Sequence, residues 1–354
     1  MVHRPFAKPF TWIATSVLAL GLAAALPAAT RPTPVKKVLF FTKSSNFEHS
    51  VIKRHNGQPS WAEQVLAKEG PKHRIAFVFS KDGSLFTPEY LAQFDGYMFY
   101  TSGDLLAAGK DGNPPMTPAG KAALLDAIEH GKGFVGIHAA ADTFHAGETV
   151  ETNTNQPRTW RYHNLGDKAD PYTKMLGGEL IIHGTQQIGR VRVIDPAFPG
   201  FAKLGDSFEL MEEWYSMTNF APDLHVLLLQ DTSHMRDPNA NGKDWPPAGF
   251  DTPYQRPPYP STWARMDGKG RVFYTSMGHR EDTWTNPVFQ KILFGGIAWA
   301  VRNIDADITP NLKQVAPGAY ELPPVSGPVS GLPKNKKHRP NNPITPSPEK
   351  IVLP

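Results

Sequence analysis

Residues Gly133–Phe144 read GFVGIHAAADTF: an apolar run ends in His138, and small residues suited to a tightly packed helix start follow it. A strand, a sharp turn and a helix make a nucleophile elbow, in which the turn lifts one side chain out beside free backbone N–H groups. Here the lifted group is an imidazole. Two more histidines, His183 and His279, end an apolar run or follow one closely, and Glu213 ends another. Imidazoles with one carboxylate are the ligands that zinc and similar divalent ions favour, and a site of that kind keeps a position open for substrate or water. This makes His138, His183 and His279 the candidate metal ligands, with zinc the favoured ion. The alternative for each is a buried hydrogen-bonding histidine, and no H-x-x-x-H spacing decides between them. Asp142, four residues past His138, either joins the chemistry or caps the following helix. Glu212 and Glu213 alternate along a strand, so one carboxylate reaches the site and the other points away.

These residues need a scaffold, and the apolar pattern supplies one. Continuous apolar runs at Lys37–Thr42, Arg74–Ser80, Gly96–Thr101 and Gly133–Ile137 read as strands buried on both faces of a parallel sheet. Helices fit between them over 59–69, from Thr87-Pro88, and from Thr117-Pro118 to His130, where cap and proline mark the starts and Gly131 a stop. The alternation predicts a doubly wound, mostly parallel α/β sheet of the flavodoxin-like kind, with ligands at the carboxyl ends of its strands. His138 lies at such an end, as do residues 42–49 and Ser102. Pro171–Leu176 reads as a helix before Gly177-Gly178. Further strands fit Glu179–Ile182, Gly189–Val193, Phe208–Met211, Leu224–Leu229, Thr262–Met266 and Arg271–Thr275, and Asn286-Pro287 opens a last buried helix. Two long loops, at 145–170 and 235–260, carry Trp160, Arg161, Tyr162, His163, Trp245, Tyr254 and Tyr259. Trp263 and Trp284 read as packing residues, although an exposed indole near a site serves as a sugar platform.

Composition bounds the rest. The chain has 354 residues, 40% of them hydrophobic, enough for one large core or two modest ones. Its net charge is +4, but Arg4 and Lys8 sit in the first 29 residues and a net +4 lies in residues 322–354, which leaves the middle at −2. That balance gives no support for nucleic-acid binding. Residues 1–29 have the layout of an export signal: basic start, apolar Trp12–Leu26, then Pro27-Ala28-Ala29, with cleavage expected near 25–29. The apolar stretch is shorter than the ~20 residues a spanning helix needs. We therefore expect an exported, periplasmic or secreted protein with no membrane span after cleavage. Cysteine is absent, so no disulfide forms. Residues 322–354 contain nine prolines and a basic cluster and read as an extended tail. The domain between spans 30–321. No nucleotide or flavin is indicated, and the oligomeric state is not fixed by the sequence.

Around His138, Gly136-Ile137-His138-Ala139-Ala140 resembles the Gly-Ile-Cys-Leu-Gly elbow of class I glutamine amidotransferases, with histidine where the thiol would be. A chain without cysteine cannot run that thiolate chemistry. The segments GKGFVGIHAAADTF, YTKMLGGELIIH, EEWY and GKGRVFYTSMGHREDTW resemble the ThuA-like (trehalose-utilisation) family over roughly 36–303. The resemblance implies an amidotransferase-like α/β fold lacking the nucleophile, with Glu213 inside the site, Tyr215 beside it, and His49 part of the first motif. It also implies catabolism of disaccharides whose glucose unit has been oxidised at carbon 3. Such a ketone acidifies the proton on carbon 2, so a base can start elimination of the sugar at carbon 1, and water added later gives net hydrolysis. The parts required are a Lewis acid, a base and an oxyanion partner. His138, Glu213, Tyr215 and Asp142 are the expected catalytic groups, with His49, Ser102 and Trp284 beside a small carbohydrate. The alternative is an exported carbohydrate-binding module without catalysis. The chain departs from the family where His183-Gly184 replaces the usual His-Pro, and in its two long loops.

Overall fold

The computed structural model describes residues 1–3, 34–109, 111–145, 163–184, 186–235 and 253–323. The expected export signal, the tail from residue 324, and Trp160, Arg161, Tyr162 and Trp245 lie outside the described residues. No helix among those described is long and apolar enough to cross a membrane.

From Pro34 onward, strand and helix alternate as the apolar pattern requires. The order begins β1 (Lys36–Phe41), α1 (Trp61–Glu69), β2 (Ile75–Ser80), α2 (Pro88–Ala92), β3 (Gly96–Phe99), α3 (Pro118–Glu129) and β4 (Gly133–Ile137). It continues with α4 (Pro171–Leu176), β5 (Glu179–His183), β6 (Gln187–Val193), β7 (Ser207–Glu212), β8 (Tyr215–Thr218) and β9 (His225–Gln230). Last come β10 (Tyr259–Asp267), β11 (Gly270–Thr275), α5 (Glu281–Thr285), α6 (Pro287–Ala300) and α7 (Leu312–Val315). Nine strands form one sheet in the order β2-β1-β3-β4-β11-β10-β9-β6-β7, and β5 pairs with β8 separately. The half from β2 to β11 is parallel, and the half from β11 to β7 is antiparallel.

The doubly wound character shows in how side chains alternate. Val38 and Phe40 of β1 join a core with Val65 and Leu66 of α1 and Ile292 and Leu293 of α6. Their neighbours Leu39 and Phe41 join the opposite core, with Leu91 of α2, Leu124 and Ile128 of α3 and Met175 of α4. A strand buried on both faces needs an apolar residue at every position, which is why β1 reads as an unbroken run. The helix starts follow the cap signals: Thr117 accepts from the Gly120 N–H, Asp170 from Tyr172 and Asn286 from Val288, each before a proline that lacks the N–H a first turn leaves unused.

Four local expectations change. Helix α1 starts at Trp61 because Ser60 and Glu63 form a reciprocal capping box, and Trp61 faces outward, its indole N–H bonded to the Glu281 carbonyl. The helix expected after His138 is a single 3-10 turn, His138–Asp142, and the chain is extended again at Thr143. Asp142 is the last residue of that turn and does not cap its start. The strand β8 was not expected: its four residues YSMT are too short a run to read by themselves, and pairing with β5 defines it.

The sheet is also not flat. Neighbouring strands lie about 4.8 Å apart, so four steps from β11 to β7 would separate them by roughly 19 Å in a flat sheet. Yet the Glu212 carboxylate at the end of β7 bonds the backbone of Gly278, three residues past β11. The antiparallel half curls back over the carboxyl ends of the parallel half.

Candidate functional site, a histidine and glutamate cluster at the strand ends

At the end of β4, His138 takes a left-handed backbone conformation, φ 45°, which side chains with a β-carbon adopt only at a cost of about 1–3 kcal/mol. Two bonds hold it there. Its carbonyl accepts from the Tyr274 hydroxyl at 2.9 Å, and its Nδ1 lies 2.6 Å from the Ser276 carbonyl. A carbonyl only accepts, so Nδ1 carries the proton and Nε2 presents a lone pair inward. That backbone-anchored tautomer is the arrangement found behind metal-ligating histidines. The ring is fully buried and packs on Tyr215, centroids 4.1 Å apart.

The β7–β8 corner brings the carboxylates. Glu212 does not point to solvent: it is fully buried and accepts from the N–H groups of Gly278 at 2.8 Å, His279 at 3.1 Å and Glu213 at 2.9 Å. It fixes the backbone that carries His279. Glu213 faces the histidines. Its Oε2 is 3.1 Å from His279 Nδ1 and 3.5 Å from His138 Nε2, and its Oε1 is 3.3 Å from His183 Nδ1. Burial alone would raise the Glu213 carboxyl, but the surrounding imidazoles of His183, His279 and His138 outweigh it and hold the group well below the ordinary carboxylate range. Burial likewise works against a charged His279, and Glu213 reverses the balance and raises it.

His49 arrives from the loop after β1. That loop is pinned from three sides: Lys81 Nζ bonds the Thr42 carbonyl at 2.9 Å and Glu48 at 3.0 Å, Ser102 Oγ donates to the Phe47 carbonyl at 2.6 Å, and buried Lys43 lies 3.5 Å from Asp111. The His49 ring meets His138 and His279 edge-on, each with centroids 5.1 Å apart. Burial first, then the neighbouring His138 and His279, push its pKa well below the usual histidine value, so it is neutral. Its buried Nδ1 has no hydrogen-bond partner. A buried, unpaired imidazole nitrogen costs on the order of 1–3 kcal/mol and aims a lone pair or an N–H at an unfilled role.

Ligand atoms of His49, His138, Glu213 and His279 all lie within 4.8 Å of one another. Three of the spacings are tighter: His138 Nε2 to His279 Nδ1 is 3.3 Å, and the two nitrogens stand 3.5 and 3.1 Å from Glu213 Oε2. Donors at about 2.0–2.1 Å from one ion and at a tetrahedral angle stand about 3.4 Å apart. The donor set and its spacing fit a divalent cation of the zinc type.

The other sequence candidates fall elsewhere. His183 is outside the set of four, so His49 takes the place expected for it. Trp284 is 0% exposed, its indole N–H donates to the Gly278 carbonyl, and its ring stacks on Tyr100, so it offers no face to a sugar. Ser102 spends its hydroxyl on the His49 loop. The Asp142 carboxylate lies 2.6 Å from buried His145 Nε2, whose Nδ1 is 2.8 Å from Glu179, so Asp142 ties the elbow to β5. Tyr215 does stand beside the cluster, between His138 and His183, and burial followed by the Glu213 charge raises its pKa well above 10, so it stays protonated. His163 is exposed, and Trp263 is buried against Tyr274. Two residues had gone unnoticed, Tyr100, whose hydroxyl donates to the Gly278 carbonyl, and Glu212 as a backbone anchor; neither leaves a local sequence signal.

The departure at Gly184 also has a use. Its N–H donates to the Tyr254 hydroxyl at 2.9 Å, which donates in turn to the Trp214 carbonyl at 2.8 Å. Proline has no such N–H, and a β-carbon here would stand 2.9 Å from the Tyr254 ring. The turn after His183 is thus stapled to the corner that carries Glu213.

Comparison with known proteins agrees with this architecture. A ThuA-like protein from Bacteroides uniformis superposes with a TM-score of 0.53 at 23% identity, over 81% of this chain and 100% of that one. A second ThuA-like protein, from Parabacteroides merdae, gives a TM-score of 0.47 at 13% identity over 82% of this chain and 97% of that one. At 23% identity, what is shared with the Bacteroides uniformis protein is the fold. The ThuA family, described as trehalose utilisation, matches residues 37–300. The chain belongs to the ThuA family, and its role is carbohydrate-related.

Proposed function

We propose that this protein acts on 3-keto glycosides, eliminating the substituent at carbon 1 and, after addition of water, hydrolysing the glycosidic bond. The observation that carries the reading is the triangle of His138 Nε2, His279 Nδ1 and Glu213 Oε2, with spacings of 3.3, 3.5 and 3.1 Å and a neutral His49 beside it. A divalent cation bound there supplies Lewis acidity to the negative charge that develops at the carbon 3 oxygen. The residues do the remaining work. Three neutral imidazoles and one carboxylate leave the loaded site with a net positive charge, which favours an oxyanion. Tyr215, protonated and packed on His138, walls the site. The curl of the sheet buries the cluster, so charge interactions inside it are stronger than in water.

The test is turnover of p-nitrophenyl 3-keto-glucoside by untagged protein, followed as p-nitrophenol release, with elemental analysis of the same sample. We expect one zinc-type ion per chain and activity that a chelator removes and added zinc restores. No release with or without metal would overturn the reading, and tight glycan binding without turnover or metal would support the non-catalytic module.

A further inference from the structure

The site holds a fourth imidazole that the cation does not need. His183 ends β5, and its Nδ1 lies 2.9 Å from the Gly184 carbonyl and 3.3 Å from Glu213 Oε1. Both neighbours are acceptors, so Nδ1 carries a proton toward them, and in the neutral ring the lone pair is on Nε2, across the ring from Glu213. The side chain is 35% exposed, whereas His138 is fully covered. Its ring stacks on Tyr215 with centroids 5.9 Å apart and planes 22° apart, and Tyr215 lies in turn against His138. Further support comes from behind, where Tyr254 clamps Gly184 to Trp214. A histidine whose Nδ1 proton is held by two acceptors, which is rigidly backed and which is partly exposed can exchange a proton with something outside the protein.

We infer that His183 is not a ligand but the catalytic base of this site, taking the proton from carbon 2 of a 3-keto sugar seated over the cluster. This deepens the proposed function and rests on it. In the step, Nε2 accepts the carbon 2 proton and the C–H electron pair becomes the enolate of the carbon 3 ketone. The enolate re-forms the ketone, makes the carbon 1–carbon 2 double bond and expels the carbon 1 oxygen as alkoxide. The protonated His183 then delivers its proton to that alkoxide. One C–H and one C–O bond break, one C=C bond and one O–H bond form, and the residue ends as it began. Gly184, which offers an N–H where a proline would have none, is what allows the Tyr254 clamp behind the base.

The experiment uses the full-length, zinc-loaded protein and two variants, His183→Ala and His183→Gln. Three readouts are taken: zinc per chain, loss of deuterium from a carbon 2-deuterated 3-keto-glucoside, and p-nitrophenol release. We expect unchanged zinc content in both variants and a fall of about 10²–10⁴ in washout and release, the range for general base catalysis. Added imidazole is expected to restore part of the rate in the alanine variant alone. If zinc is lost from both variants, His183 is a ligand and the inference is wrong. If zinc stays and the rates match wild type, another group takes the proton and the inference is again wrong. If wild type itself neither washes out deuterium nor releases product, the proposed function fails, and the assignment of His183 goes with it.

Discussion

Replacing Glu212 by glutamine tests whether the cluster is assembled by the backbone rather than by the ligands themselves. Glu212 touches no candidate ligand atom, yet its two oxygens collect three N–H groups, those of Gly278 and His279 on Oε1 and that of Glu213 on Oε2. Glutamine keeps one carbonyl oxygen. In its better orientation that oxygen faces Gly278 and His279, and the amide nitrogen is forced against the Glu213 N–H, donor against donor. One charge-assisted bond, worth about 1.5–3 kcal/mol, is lost outright, and two others fall to neutral strength at about 1 kcal/mol each. The sum is a destabilisation of roughly 3–5 kcal/mol, or a Tm lower by roughly 6–10 °C at about 2 °C per kcal/mol for a large domain. Urea unfolding of wild type and variant, both stripped of metal, measures it without the ligands contributing. Zinc affinity, measured separately, should fall as well, because His279 and Glu213 lose their common anchor. A destabilisation below about 1 kcal/mol with unchanged zinc affinity would refute the argument that three buried N–H groups depend on this carboxylate.

Tyr254→Phe removes one hydroxyl and leaves the Gly184 N–H and the Trp214 carbonyl buried without partners, so we expect a loss of about 2–4 kcal/mol in urea unfolding; less than about 0.5 kcal/mol would show the clamp to be incidental. The metal-free protein should also show a pH window set by the Glu213–His279 pair. Glu213 is depressed from 4.5, so its contribution is present above that value and is lost as pH falls through the lower folded-state value. His279 is raised from 6.5, so its contribution is complete below that value and is lost as pH rises through the higher folded-state value. Both act together between 4.5 and 6.5, and a Glu213→Gln, His279→Gln double variant should flatten that part of the curve of Tm against pH. Cation uptake must displace the His279 proton, so calorimetric titration with zinc near pH 6.5 should release protons, in amounts that differ between buffers of different ionisation enthalpy and vanish in His279→Gln.

Much of the parallel half was legible because its signals are local. The unbroken apolar runs Val38–Phe41 of β1 and Gly133–Ile137 of β4 require burial on both faces, and Thr-Pro, Asp-Pro and Asn-Pro pairs start α3, α4 and α6 through bonds that close within three residues. His138 could be placed at a strand end for the same reason. The turn after it was misread as a helix because small residues behind a strand fit the strand, turn and helix of an elbow, whereas Thr143 Oγ1 bonds the Ala139 carbonyl and the Gly103 N–H donates to the Asp142 carbonyl, which draws the chain back to an extended path. β8 spans only four residues, YSMT, too few for a periodicity to stand out.

Residue types and strand ends thus determined by themselves that imidazoles and a carboxylate would gather along one rim of a doubly wound sheet. Which of them come close enough to hold one ion could not follow from spacing along the chain. Between His49 and His279 stand 229 other residues, and the separation of their rings depends on how far the antiparallel half curls, on three N–H bonds to Glu212 and on the pinning of the loop after β1. The sequence put His183 with the ligands, whereas the folded chain leaves it outside the group of four and brings His49 into it. A coordination shell is decided by differences of about 1 Å, and only packing between distant segments sets distances that finely.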